Sequence, residues 1–361
     1  MVLARKKLSP NIKSILLIQL GDIGDVVLSL PAIRALKEHF EQSRLVVCVR
    51  EKARELLEDA PEVDGIIAVD KKKRPLFREI GYQIDFLRLI RKSRFDLAID
   101  LRTGSRGTVI AILSGAKNRI GRLDDGPQTW RRFFFTHLVK PDPSLELEQY
   151  ASEHHLNILA SFGVKSANPI PKLNVSMEKR KRVLEILKNE GVPPEMKMVT
   201  LHPFSLWSYK EWRKEGWIRL IEDLIESRTI SVLVTGSPSD RDRASEIIRP
   251  FKTGVFSLAG KTSIGEMSAI LELSSLFIGV DSGIMHLAGA VRTPSIALFG
   301  PSSPVTWAPR NSRHKTVAVE MPCRPCRQKG CQGSEISRCL DELSYEYVKK
   351  AVDEELKAKA S

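Results

Sequence analysis

Short apolar runs with β character alternate with helical patterns along the whole chain, and this alternation constrains the fold more than any other feature. The runs fall at 15–20, 44–49, 65–69 and 97–100, then at 198–202, 231–235, 255–257, 276–280 and 295–299. Strands separated by helices pair in parallel, because each helical crossover returns the chain to the end of the sheet where the previous strand began, so the expected class is α/β with parallel sheets. A chain of 361 residues exceeds the size at which one core usually stops growing, and 42% apolar residues suffice for two packed interiors. The break falls in the polar, proline-bearing stretch VKSANPIPKLN before a helix over 176–189. The expected domains are therefore 1–170 and 171–342, followed by a terminal helix within 343–361.

Two strand-to-helix turns carry the chemistry. In LFIGVDSGIMHLAGAVRTPSIALFGP (276–301) an apolar strand breaks at Asp281-Ser282-Gly283 and a helix follows at once. Such a turn exposes the N–H groups of Ser282 and Gly283 at the positive end of a helix, where an anion binds, and Asp281 offers a carboxylate to hydroxyls. An ordinary βα turn has the same look. Near the start, SILLIQLGDIGDVVLSLPAIRALKEHF gives a second strand, a turn with Gly21, Asp22, Gly24 and Asp25, and a helix. It is not a dinucleotide fingerprint: G-x-G-x-x-G is absent, and two carboxylates would repel a pyrophosphate. A carboxylate at the end of a first strand suits proton abstraction from an alcohol, although one of the two is expected to cap the helix.

These segments together resemble the ADP-heptose:lipopolysaccharide heptosyltransferases of glycosyltransferase family 9. The family pattern near the start is matched by Gly24-Asp25 with Pro31-Ala32. The second signature is matched by Gly279, Asp281 to Gly283, Met285 to Ala288, Thr293-Pro294 and Leu298 to Pro301. Lesser matches lie in DLAIDLR, GAKNRIG, HPFSLWSYKEW, Thr235-Gly236 with Asp240, and LAGK, so the likeness runs over about 14–340. It implies the GT-B arrangement: two Rossmann-like domains facing across a cleft, acceptor on the first and nucleotide sugar on the second. It also implies a last helix that crosses back to the first domain.

The resemblance further implies an inverting transfer of heptose from ADP to the inner core of lipopolysaccharide, with Kdo-lipid A or heptosyl-Kdo-lipid A as acceptor. Asp25 is then the base, and Lys210 approaches the donor phosphates and stabilises the leaving diphosphate. Asp281 binds donor hydroxyls beside Ser282 and Gly283. His202, Phe204, Ser205, Thr235, Gly236 and Asp240 occupy strand ends or turns where a nucleotide lies in an open α/β domain, Asp240 as a ribose ligand. His286 is either a phosphate contact or a packed histidine. On the acceptor side stand Gly24, Arg102 and Arg122, whose guanidinium groups suit acidic sugars or are plain surface charge. Two departures bear on acceptor identity: Gln19 replaces a frequent arginine, and Asp22 stands where a small hydroxyl residue is common.

A formal charge of +13 fits an anionic partner. Its sharpest excess lies between Lys71 and Arg94, where nine basic residues meet only Glu79 and Asp85; this run suits a phosphorylated glycolipid or the inner face of the cytoplasmic membrane, or is a solvated surface. Nucleic acid is disfavoured because no recognised binding module accompanies the charge. No apolar run reaches the roughly 18 residues of a membrane span and the first residues lack a signal-like core, so the expected location is cytoplasmic, peripheral on the inner membrane. The transfer step requires no cofactor. Cys323, Cys326, Cys331 and Cys339, spaced C-x2-C-x4-C-x7-C, permit a structural zinc with four thiolates, and equally free thiols or a disulfide. Rival functions are transfer of another nucleotide sugar, a non-catalytic nucleotide-sugar-binding assembly protein, and a sugar-nucleotide epimerase.

Overall fold

The structure, a computed structural model, describes residues 2–4, 8, 11–70, 72, 74–123, 129–166, 168–226 and 230–357. Lys71 and Lys73 of the basic run, Ala167 of the inter-domain stretch and the last residues of the terminal helix lie outside them. The chain forms two compact units that divide between Pro171 and Lys172.

In the first unit the elements are β1 (Val2–Ala4), β2 (Ser14–Gln19), α1 (Ile23–His39), β3 (Arg44–Arg50), β4 (Gly65–Val69), α2 (Leu76–Lys92), β5 (Leu97–Asp100), α3 (Ser105–Leu113), β6 (Asn118–Arg122), β7 (His137–Val139), α4 (Pro143–Glu148) and α5 (Ala151–Ala160). The sheet runs β1-β7-β6-β5-β2-β3-β4. Only β1 is antiparallel to its neighbour within this sheet. Without β1, the order is that of a Rossmann sheet, 3-2-1-4-5-6 in chain numbering. All six residues of β2 are buried, as a strand covered by helices on both faces must be. Leu16, Ile18, Val46, Cys48, Ala98, Ile110 and Phe135 meet in one core beneath the site-bearing strand ends.

The second unit holds α6 (Met177–Asn189), β8 (Lys197–His202), α7 (Lys214–Glu226), β9 (Ile230–Val234), α8 (Arg241–Ile248), β10 (Val255–Ser257), α9 (Ile264–Leu273), β11 (Leu276–Val280), α10 (Gly283–Ala290), β12 (Ser295–Leu298), α11 (Pro304–Trp307), β13 (His314–Val317), α12 (Arg338–Asp341) and α13 (Tyr345–Lys357). Its sheet, β10-β9-β8-β11-β12-β13, is parallel throughout and repeats the same order. Ser176 caps α6 by accepting from the Lys179 N–H, which fixes the helix start expected there.

Four strands escape the sequence pattern. β1 and β7 have only three residues each, and β6 and β13 carry Asn118, Arg119, Arg122, His314 and Lys315 in place of apolar alternation. α13 packs on α7 and β13, with Val348 and Val352 fully buried in the same core as Trp217 and Leu220.

Candidate functional site

In an open sheet of this order the strand connections diverge between the first and fourth strands, leaving a crevice at their carboxyl ends. In the first unit those strands are β2 and β5. The turn after β2 folds back on itself: the Asp22 N–H donates to Asp25 Oδ2 at 2.8 Å, closing the first turn of α1. Gly21 permits this, since a Cβ there would lie 2.3 Å from the Asp25 Cβ and carboxylate. The Gly21 N–H in turn donates to the buried Gln19 side chain at 3.1 Å, so the residue that departs from the family pattern braces the turn.

The second oxygen, Asp25 Oδ1, is held by Arg102 Nη1 at 2.7 Å from the turn after β5. Arg102 is itself positioned from beneath. Its N–H donates to Asp100 Oδ1, and Asp100 Oδ2 accepts from the fully buried Arg131 at 2.8 Å. Burial pushes the Asp100 carboxyl up to about 7, with Arg131 and Arg102 opposing the rise. Helix α3 approaches so closely that a Cβ at Gly107 would lie 2.6 Å from that carboxylate. Asp22 takes the other role expected of the pair, standing at the helix cap with Oδ1 bound by Arg50 at 2.8 Å and Lys52 at 2.6 Å. Partial burial favours its neutral form, but the Lys52 hydrogen bond and the charges of Lys52, Arg50 and Arg102 hold the carboxyl below its usual range. Gly24 lies inside the same turn. Arg122 is placed differently from expectation: Glu146 takes its fork at 2.5 and 2.8 Å, tying β6 to α4 as a bidentate structural pair.

In the second unit the diverging strands are β8 and β11. Lys210, on the loop after β8, reaches Asp281 at the end of β11, Nζ to Oδ2 2.6 Å. Asp281 is buried and the lysine is mostly covered, so the pair stands in a partly dried setting. Next to it Ser282 precedes α10, whose first N–H groups have no intrahelical acceptors. The Ser282 hydroxyl is shielded from solvent and has no hydrogen-bond partner among the described residues. A shielded hydroxyl, a cation and a helix N-terminus together form a chemistry that suits an anion.

The ends of β8 and β9 meet on the other side of Lys210. The single hydroxyl proton of Thr235 goes to the Leu201 carbonyl at 3.0 Å, so His202 Nδ1, 3.0 Å from the same oxygen, carries the hydrogen and donates. That assignment leaves His202 Nε2 as an acceptor. Gly236 lets Phe204 and Asp240 approach; Asp240 accepts from the Ser237 N–H at 2.9 Å and pairs with Arg243, which makes it the cap of the turn. Arg243 also covers the Phe204 ring and binds Glu211, whose other contact receives the Ser205 N–H at 2.8 Å. His286 is buried in an edge contact with Trp307, centroids 6.3 Å apart.

Burial pushes the His202 imidazole down to about 4, with the Asp240 charge and the Thr235 bond only partly offsetting it. An unfolded histidine titrates near 6.5, so the unfolded chain takes up this proton first as pH falls. The stabilisation is fully present above about pH 6.5 and is lost through the window down to about 4. His202→Asn should flatten the dependence of urea-unfolding free energy on pH across that window by up to about 3 kcal/mol. A residual slope is expected from His155 and His314, also pushed down to about 4 by burial. An unaltered profile in the variant would refute the buried neutral ring.

An open cavity of 460 Å³ lies beside the Lys210 loop, lined by Ser208, Glu211, Trp212, Ser337 and Asp341 among others. Neither Lys210 nor Asp281 lines it, so the paired charges, and not this hollow, mark the site. Among the described residues no group of three or more His, Cys, Asp or Glu side chains is disposed to hold a metal ion. Of the four clustered thiols, Cys323 is exposed, Cys326 and Cys331 are partly buried, and Cys339 is buried in α12 against Gly300.

The description "Glycosyltransferase family 9 (heptosyltransferase)" belongs to a family model that matches residues 84–336, well over half of the chain. The chain belongs to glycosyltransferase family 9. It is therefore a glycosyltransferase, and the heptosyltransferase resemblance drawn from its motifs holds. The chain is 28% identical to a lipopolysaccharide heptosyltransferase 3 of Escherichia coli over 291 residues, 79% of this chain and 83% of that one. Among solved structures, a family 9 glycosyltransferase from Veillonella parvula superposes with TM-score 0.81 at 23% identity, covering 98% of this chain and 99% of the other. The E. coli ADP-heptose LPS heptosyltransferase II does so with TM-score 0.79 at 21% identity, covering 96% and 100%. The α/β, GT-B fold class expected from the resemblance is the class of this family 9 glycosyltransferase.

Several supporting groups were not singled out by the sequence: Arg50, Lys52, Arg131 and Arg243 lie outside the motifs, and Asp100 and Glu211 lie within them without an assigned role. Asp100 stood within DLAIDLR, where a charged residue ending an otherwise apolar strand could have marked it.

Proposed function

We propose that this family 9 enzyme is an inverting heptosyltransferase that takes heptose from ADP-heptose and places it on the inner core of lipopolysaccharide. The observation that carries the donor half is the partly buried Lys210–Asp281 pair beside the α10 N-terminus and the Ser282 hydroxyl, which has no partner among the described residues. A diphosphate draws Lys210 from Asp281, and Asp281 is then released to accept from sugar hydroxyls. As the anomeric C–O bond breaks, its electron pair leaves on the ADP oxygen, where Lys210 and the helix N–H groups receive the charge. Lys210 takes the part that a divalent ion plays in other transferases. His202 Nε2 accepts from the nucleotide, while Asp240 shapes the turn that holds it.

On the acceptor side the contacts of Asp25 support different tasks for its two oxygens. Oδ2 is engaged by the cap, so Oδ1 is the atom that takes the proton of the attacking alcohol as the new C–O bond forms. Arg102 holds Oδ1 until the acidic groups of the acceptor draw the guanidinium away. An anionic glycolipid such as Kdo-lipid A or its heptosylated form supplies such groups, and its anchoring brings the protein to the cytoplasmic face of the inner membrane. Similarity to named lipopolysaccharide heptosyltransferases supports the same substrates.

The test is to incubate the protein with ADP-heptose and a panel of truncated lipopolysaccharide cores and to weigh the products. One core should gain a single heptose with inverted anomeric configuration. Failure on every core, with conversion of ADP-heptose in the absence of acceptor, would replace this reading by epimerisation.

A further inference from the structure

Helix α2 carries two apolar stripes where a surface helix needs one. Tyr82, Phe86 and Ile90, four residues apart, face inward: Ile90 is fully buried, Phe86 packs on the core, and Tyr82 stacks on Phe86 under the Arg74 guanidinium. The opposite arc holds Leu76, Phe77, Ile80 and Ile84, which are 77%, 72%, 52% and 43% exposed. Isolated exposed apolar residues are ordinary, but four on one arc of one helix form a patch.

Charge selects what covers it. Lys72, Arg78, Arg88, Arg91 and Lys92 are exposed on or beside the helix, and over 71–94 the sequence sets nine basic residues against two acidic ones. Asp85 and Glu79, the two acids, are engaged by Arg88 at 3.4 Å and by Arg74 at 3.5 Å. Two copies of so basic a face repel each other, whereas an anionic lipid surface attracts it and receives its apolar side chains. No helix among the described residues is long and apolar enough to cross a membrane, so the mode that fits is lying in the interface.

We propose that the outer face of α2, with Phe77, Ile80 and Ile84 as its apolar insertion and Arg78, Arg88 and Lys92 as its charged rim, docks the protein on an anionic lipid bilayer. This deepens the reading of a membrane-embedded glycolipid acceptor and rests on it for its purpose, though not for its test. The full chain should co-sediment with phosphatidylcholine vesicles containing about 30 mol % phosphatidylglycerol and far less with phosphatidylcholine alone. About 0.5 M salt should weaken that binding. The triple variant Phe77→Gln, Ile80→Gln, Ile84→Gln should partition at least about tenfold more weakly. Its thermal midpoint should stay unchanged, because these side chains make no part of the core. The pair Arg78→Gln, Arg88→Gln should lower binding to anionic vesicles while leaving the apolar stripe intact.

Transfer to acceptor in vesicles should slow in the triple variant, while transfer to the same acceptor in detergent should match the unaltered chain. Equal vesicle binding by variant and parent overturns the proposal, as does a parent that ignores anionic vesicles. So does a dimer in sedimentation equilibrium that the triple variant dissociates. If vesicle binding follows α2 but no heptose is transferred in either format, the docking surface stands and the substrate assignment falls.

Discussion

Asp25→Asn should lower heptosyl transfer by about 100- to 10,000-fold, the usual worth of a positioned base, and leave the affinity for ADP roughly unchanged. The substitution keeps the shape of the turn, since the asparagine oxygen can still accept the Asp22 N–H that closes the first turn of α1. What it removes is the second carboxylate oxygen, putting an amide in front of Arg102 where an acceptor atom stood. No atom is then left to take the proton of the attacking alcohol. Asp22→Asn is the control. It also removes a carboxylate from the turn, one held by Arg50 and Lys52, while retaining a good cap. Its effect on turnover should stay within about tenfold, so equal losses in both variants would show that the charge of the turn, and not a base at Asp25, drives the reaction.

Lys210→Met should cost about 100- to 1,000-fold in kcat/KM, comparable to removing one donor from an oxyanion site, and should weaken ADP binding as well. A second effect accompanies it. Asp281 is buried, and its only ion pair among the described residues is with Lys210, so the variant strands a carboxylate. Breaking a fully buried pair costs about 3 to 5 kcal/mol; the partly exposed lysine places this one nearer to about 1 to 2 kcal/mol. Adding Asp281→Asn to Lys210→Met should restore much of that stability in urea unfolding while activity stays low. Recovery of activity with stability would mean that the pair is structural and that Lys210 does not receive the leaving diphosphate.

The two site turns were legible because backbone chemistry limits them. A buried parallel strand followed at once by small and acidic residues and a helix leaves few alternatives, and Asp281-Ser282-Gly283 and Asp22 to Asp25 both obey that rule. The alternation of apolar runs likewise anticipated nine of the thirteen strands among the described residues. Two of the other four, β1 and β7, are only three residues long, and β6 carries Arg119 and Arg122 and still pairs on both sides. Sequence alone leaves Arg122 as an acceptor contact or plain surface charge, and it holds no information about which distant carboxylate meets the guanidinium; Glu146, 24 residues on, does so.

The order of apolar runs and turn residues determined, on its own, an α/β chain of two sheets with two strand-to-helix turns, one of Asp-Ser-Gly and one acidic, at strand ends. Those are local properties, fixed by the period of burial and by the backbone donors a helix start leaves open. Tertiary structure alone decided which cations hold Asp22 and Asp25, that Lys210 meets Asp281 across 71 residues, and where α13 packs. Each of these depends on groups far apart in the chain whose charges must be paired or apolar faces covered once water is excluded. Only the folded arrangement specifies those partners.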